Sequence, residues 1–185
     1  MSIGVNGQCD AALYYPRIEI LERTARAADS SRVCAISCLF PCLNMVPGFR
    51  DIRGYDAADP ARVVELLELF EDASSGPRLP YARTQNFVPQ LQSPLLDMLN
   101  VKYVLTSPQQ ALTNPGYTLV YDGEMHIYRH ENALPRAFLV PQGINIPDVA
   151  ERSEALKTFD PRQIVILEET PPEFAAQTLP AEYTR

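Results

Sequence analysis

Apolar positions along this chain switch repeatedly between helical and strand spacing, and prolines mark many of the switches. From Pro16 to Asp29, Ile18, Leu21, Ala25 and Ala28 recur at three- and four-residue intervals. That spacing predicts a helix with one apolar face, and Pro16 suits its first turn. Arg32 to Phe40 then reads as a strand. Both of its alternation sets, Val33/Ala35/Ser37 and Cys34/Ile36/Cys38, are apolar or small. A strand buried on both faces belongs in the middle of a layered sheet, and Pro41 ends it. After a long loop from Pro41 to Asp59, a second helix spans Pro60 to Ala73. Asp59 is its N-cap and Pro60 its first residue. Val63, Leu66, Leu67 and Phe70 form its stripe, with Val64 and Leu69 outside it.

The segment from Arg78 to Gln92 carries no periodicity. Ser93-Pro94 starts a short helix to Asn100 with Leu95, Leu96 and Leu99 inward. Val101 to Thr106 is a strand. Tyr117 to Tyr121 and Glu124 to Arg129 form a hairpin over Asp122-Gly123, a pair suited to a two-residue type I′ turn. Arg136 to Val140 reads as a strand, Pro147 to Thr158 as a helix, and Gln163 to Glu168 as a last strand. The fold class is therefore α/β or α+β, with a mixed sheet of about five to six strands, flanking helices and one hairpin. Residues 1–169 are expected to form one domain, and 170–185 a proline-rich tail.

Composition narrows the function classes. The 185 residues carry a formal net charge of −7, and no stretch is basic. Nucleic-acid binding rests on Lys and Arg neutralising phosphates, so no nucleic-acid partner is expected. The same argument weighs against anionic lipid surfaces. No apolar run approaches the roughly 18 residues that a membrane span requires, so no direct membrane insertion by this chain is expected. Met1 to Gly7 lacks the features of a signal peptide. As a complete chain this would read as cytoplasmic, and as an excised piece it would not. With 17 Pro and 8 Gly, the connections are stiff.

Four cysteines stand at Cys9, Cys34, Cys38 and Cys42. In a strand, Cys34 and Cys38 would lie about 13 Å apart on one side, too far for a disulfide or a shared zinc ion. Idle thiols fit this spacing best; a disulfide through Cys9 or Cys42, or a metal, stays open. No cofactor is expected.

Candidate chemistry is sparse. Arg50, Asp51, Arg53, Tyr55 and Asp56 fall within one loop that also holds Gly54. Guanidinium forks, carboxylates and an aromatic ring can hold a sugar or sugar phosphate. The same residues can instead staple the loop to the sheet by salt bridges, with Gly54 supplying an unusual backbone angle. In the expected hairpin, Tyr117, Leu119, Tyr121, Glu124, His126 and Tyr128 share one face. Its Tyr117, His126 and Tyr128 can stack on sugar rings or simply pair across strands. Thr118, Val120, Met125 and Ile127 form the expected core side. His126 and His130 lack a neighbouring Cys, and no nucleophile elbow or phosphate loop is present. Lys102 reads as a strand residue with its amine in water.

Several phrases carry a family likeness. Asn44 to Leu67 (NMVPGFRDIRGYDAADPARVVELL), Leu99 to Val104, Tyr121, Ile127-Tyr128, and Asn132 to Phe138 (NALPRAF) occur in order. Together they resemble the bacterial YfhO-like membrane proteins, themselves similar to GT-C-type glycosyltransferases, over roughly Pro16 to Asp160. The resemblance implies a soluble extracytoplasmic region of a larger protein whose membrane part transfers sugar from a polyprenyl-phosphate carrier. The family's catalytic carboxylate is expected in a loop between membrane helices, so it maps to no residue here. The implied role is a non-catalytic domain that contacts acceptor glycan or the membrane part of its own parent. A small stand-alone α/β transferase or hydrolase, and a self-association module built on the Pro60 to Ala73 helix, are the alternatives.

Overall fold

The computed structural model describes residues 10, 17–55, 58–76, 81 and 83–171. Its elements, in chain order, are α1 (Glu19–Ala28), β1 (Arg32–Ile36), a 3-10 turn (Leu43–Met45), β2 (Arg50–Asp51), α2 (Ala61–Glu68), α3 (Pro94–Met98), β3 (Val101–Thr106), β4 (Tyr117–Tyr121), β5 (His126–His130), β6 (Gln142–Asn145), α4 (Val149–Thr158) and β7 (Ile164–Leu167). The chain is a mixed α/β fold. Five strands form one sheet in the order β2-β1-β3-β5-β4, and β6 and β7 form a second. β2, β1 and β3 run parallel, whereas β5 is antiparallel to β3 and to β4.

β1 is an interior strand, between β2 and β3, as its two-sided apolar pattern requires: Val33, Cys34, Ala35 and Ile36 are all buried. One sheet face packs Val33, Ala35, Leu105 and Ile127 against Ile20, Leu21 and Ala28 of α1 and against Phe49. The other packs Cys34, Ile36, Val101 and Val104 against Leu67, Phe70, Phe87, Leu95 and Leu96. The arrangement is three-layered, helix on sheet on helix.

Several expectations change. The α1 inner face includes Ile20 and Thr24, while Ile18 is its exposed N-cap. In α2 the buried residues are Val64 and Leu67, followed by Phe70 in the next turn, and Val63 is exposed. Leu67 and Phe70 of the expected stripe are buried and Leu66 packs on the core, so only Val63 gives way to Val64, and Phe70 enters the core from the turn after Glu68. The Val64 and Leu69 patch behind the self-association reading is absent, since Val64 is buried and Leu69 packs on the core.

Arg136 to Val140 is not a strand; Leu139 is 98% exposed, and prolines at 135 and 141 remove amide donors on both sides. The strand lies just beyond, at Gln142–Asn145, paired in parallel with β7. The hairpin connection is longer than Asp122-Gly123, and β4 carries a bulge between Leu119 and Tyr121. Tyr117 therefore faces His130, and Leu119 faces Tyr128. Tyr128 and His130 are buried, whereas Val120 and Thr118 are exposed. Among the described residues no helix is long and apolar enough to cross a membrane.

Candidate functional site

The chain leaves β1 through Ser37, whose φ of 53° lies in the left-handed region. Such a conformation is uncommon for a residue with a Cβ and clusters at ligand sites. Beyond it, a cleft of about 490 Å³ opens at the carboxyl end of β1. Ligands of open parallel sheets bind at this edge, and the volume suits a small molecule. Ser37, Cys38, Phe40 and Arg53 line one side, and Ser74, Gln85, Asn86 and Phe87 line the other.

Arg53 and Asp51 anchor this cleft. The Asp51 and Arg53 side chains are 0% and 4% exposed. Arg53 donates from Nη2 to Asp51 Oδ2 at 2.8 Å and from Nε to Oδ1 at 3.2 Å. The Arg53 backbone N–H also donates to Oδ1 at 2.9 Å, and Nη2 reaches the Leu39 carbonyl at 2.9 Å. Burial opposes the guanidinium charge, but hydrogen bonding and attraction from Asp51 outweigh it, and the Arg53 pKa ends above its usual value. The pair thus ties β2 to the loop after β1 and presents a neutralised, fixed fork.

Gly54 continues the tie. Its N–H donates to Thr84 Oγ1 at 3.0 Å, and that hydroxyl donates to Asp59 Oδ1 at 3.2 Å. Gly54 does not take the left-handed angle expected of it; what its position demands is space, since a Cβ there would sit 3.2 Å from Thr84 Oγ1. Tyr55 is half exposed and tilts against Phe40, with ring centroids 5.1 Å apart. Arg50 points away from the cleft, donating to the Asp29 carbonyl at 3.3 Å. Asp56 lies outside the described residues. The loop therefore contributes Asp51, Arg53 and Tyr55 to one neighbourhood and leaves Arg50 at the far edge.

Two thiols adjoin the ion pair. Burial, reinforced by Asp51, drives the Cys34 thiol far above its ordinary range. Cys38 is pushed up to about 11, again chiefly by burial. Both are protonated, unreactive thiols at neutral pH. Cys34, Cys38 and Cys42 are free, and Cys9 lies outside the described residues. Among the described residues no cluster of three His, Cys, Asp or Glu suited to a metal occurs.

The aromatic face of the hairpin is a separate structure. Tyr117 stacks on His130 at 4.7 Å with planes 6° apart, and its hydroxyl donates to the Leu91 carbonyl at 2.8 Å. His130 Nδ1 lies 2.9 Å from the Val101 carbonyl, which can only accept, so Nδ1 carries hydrogen. Its Nε2 meets Asp97 Oδ1 at 3.0 Å. His126 and Tyr128 meet edge to face at 6.0 Å, and His126 Nε2 reaches Asp122 at 2.9 Å. His130 ties the hairpin to Asp97 of α3 with Tyr117 stacked on it, while buried Tyr128 accepts from the Leu112 amide, so Tyr117, His126 and Tyr128 do not form one open platform. The cleft's other wall, with Ser74, Gln85 and Asn86, comes from segments without periodicity; the only sequence signal there is two adjacent amides in a loop.

No protein-family model, curated protein or solved structure matches the chain in comparisons with known proteins.

Proposed function

We propose that this chain is a non-catalytic, extracytoplasmic domain of a YfhO-like, GT-C-type membrane protein, and that its cleft holds a neutral stretch of acceptor glycan. The observation that carries the reading is the cleft's chemistry. Amides of Gln85 and Asn86, hydroxyls of Ser37 and Ser74, and the ring of Phe40 surround a guanidinium already neutralised by Asp51. Uncharged polyols are bound by such sets of directional hydrogen bonds beside an aromatic face. A binding role is further supported by the titrating groups along this wall. Cys38 stays protonated, and Arg53 is committed to Asp51, so neither serves as a general base. The family-like Gly-Phe-x-Asp-x-x-Gly-Tyr phrase reaches the cleft through Arg53, which lines it and is held by Asp51.

Two measurements test the two halves of this reading. The genomic reading frame should encode a set of membrane helices directly upstream of this segment; a frame that encodes no membrane helices overturns the parent. Titration of the labelled chain with neutral oligosaccharides should shift amide signals at Ser37, Gln85 and Asn86. The double variant Gln85→Ala/Asn86→Ala should weaken binding about tenfold or more, the scale of one or two lost hydrogen bonds. Unmoved signals with any neutral glycan would remove the ligand assignment.

A further inference from the structure

The loop that rims the cleft between β1 and β2 turns its apolar side chains outward. Phe40 is 50% exposed, Leu43 46%, Met45 74% and Val46 57%. Tyr55, 50% exposed, lies against Phe40 and extends the patch. No charged residue occurs from Val33 to Phe49. Contiguous apolar exposure of this kind marks a contact surface. Its hydrogen bonding indicates which kind. The amides of Leu43, Met45 and Gly48 donate to the Phe40, Cys42 and Asn44 carbonyls at 3.3, 3.0 and 2.9 Å. Asn44, the polar side chain amid the patch, turns in to donate to the Phe49 carbonyl at 2.8 Å. Pro41 and Pro47 have no amide hydrogen.

Protein interfaces surround an apolar centre with hydrogen-bonding groups. Three backbone amides of this loop and the Asn44 side-chain amide donate to the loop's own carbonyls, and its exposed side chains, Phe40, Leu43, Met45 and Val46, are of carbon and sulfur, with the Tyr55 ring against Phe40. Backbone groups entering a lipid phase must be satisfied within the segment, and Phe, Leu and Met with an adjoining Tyr suit the boundary between acyl chains and headgroups. We infer that the loop from Phe40 to Val46 inserts shallowly into the interfacial layer of a zwitterionic bilayer, holding the cleft mouth at the level of the headgroups. Attachment is by apolar insertion, because a net charge of −7 gives the chain no attraction to anionic lipid. The inference does not depend on the membrane-bound parent: the chain alone should bind vesicles, whatever its reading frame encodes.

The test is flotation of the full chain with phosphatidylcholine vesicles. The wild-type chain should float with the lipid, and adding phosphatidylglycerol should not improve recovery. Met45→Asp/Val46→Asp should lower partitioning at least about tenfold, given the cost of placing charge in the interface, with an unchanged circular dichroism spectrum. Should the aspartates disturb that spectrum, Met45→Ser/Val46→Ser makes the same comparison. The chain has no tryptophan, so Met45→Trp supplies a single reporter whose emission should move to the blue on vesicle addition. A wild-type chain that stays at the bottom of the gradient overturns the inference. So does binding that requires anionic lipid, or flotation that the aspartate pair leaves unaltered. Self-association abolished by the same pair, without flotation, would assign the loop to a second copy instead and equally overturn it.

Discussion

Asp51 and Arg53 show how a single pair sets the character of a site. Both side chains are withdrawn from water, so each depends on the other for its solvation. Asp51→Asn would leave a buried guanidinium without its counter-charge, at a cost of about 3–5 kcal/mol; urea unfolding should show a correspondingly lower midpoint. The thiols beside the pair give a pH dependence. Unfolded, Cys38 releases its proton near pH 9.0; folded, it holds it to about 11. Between those values the unfolded chain binds fewer protons, so stability should be intact below pH 9 and fall as pH rises. Cys34 and Tyr117, both raised mainly by burial, act in the same direction. Thermal melts from pH 8 to 11 should show the decline, and Cys38→Ser should make it shallower while Cys34 and Tyr117 sustain the rest. The loop composition displayed the partners of the ion pair but not their commitment to each other. That commitment arises because β2 and the loop after β1 close over them and remove water, a condition no local stretch encodes.

At the scale of elements, spacing located the helices well and their inner faces less well. In α2, Leu66, Leu67 and Phe70 keep their expected inward places, and the choice of Val64 over Val63 follows from the side that meets Thr84 and Phe87. The expected strand at residues 136–140 has the better apolar run, yet β6 forms at Gln142–Asn145. Pairing decides this: β6 has β7 beside it in register, while the preceding stretch is held between two prolines. α4 joins those two strands and starts at Asp148, whose carboxylate accepts from the Glu151 amide at 2.8 Å. Asp148→Ala should remove about 1 kcal/mol from this β6-α4-β7 unit. Hydrogen exchange in α4 and β7 should quicken, with β1 and β3 unchanged.

Across the whole molecule, two sheets of unequal protection share one body. The five-stranded sheet is covered by helices on both faces. The two-stranded one gains no third strand among the described residues and exposes Val165. Parallel pairs of that size have little stability of their own. Native-state exchange should therefore be slowest in β1, β3 and β5 and distinctly faster in β6 and β7, reporting opening of that unit without loss of the core. Uniform protection across both sheets would contradict this. The sequence by itself determined the α/β class, an interior β1 and the Ser93-Pro94 start of α3, because period, proline and cap residues act over a few neighbours; the expected Asp59 cap of α2 did not form, since Pro60 is the N-cap and accepts no side-chain bond. It also contained an uncharged run from Val33 to Phe49. The tertiary structure alone decided that β1 is followed on its two sides by β2 and β3, which opens the cleft at their carboxyl ends. It brought Asn86 and Ser74 across from Arg53, and it turned part of the uncharged run outward as a rim. These are contacts between residues far apart in the chain, and only the burial and pairing of the completed sheet determine them.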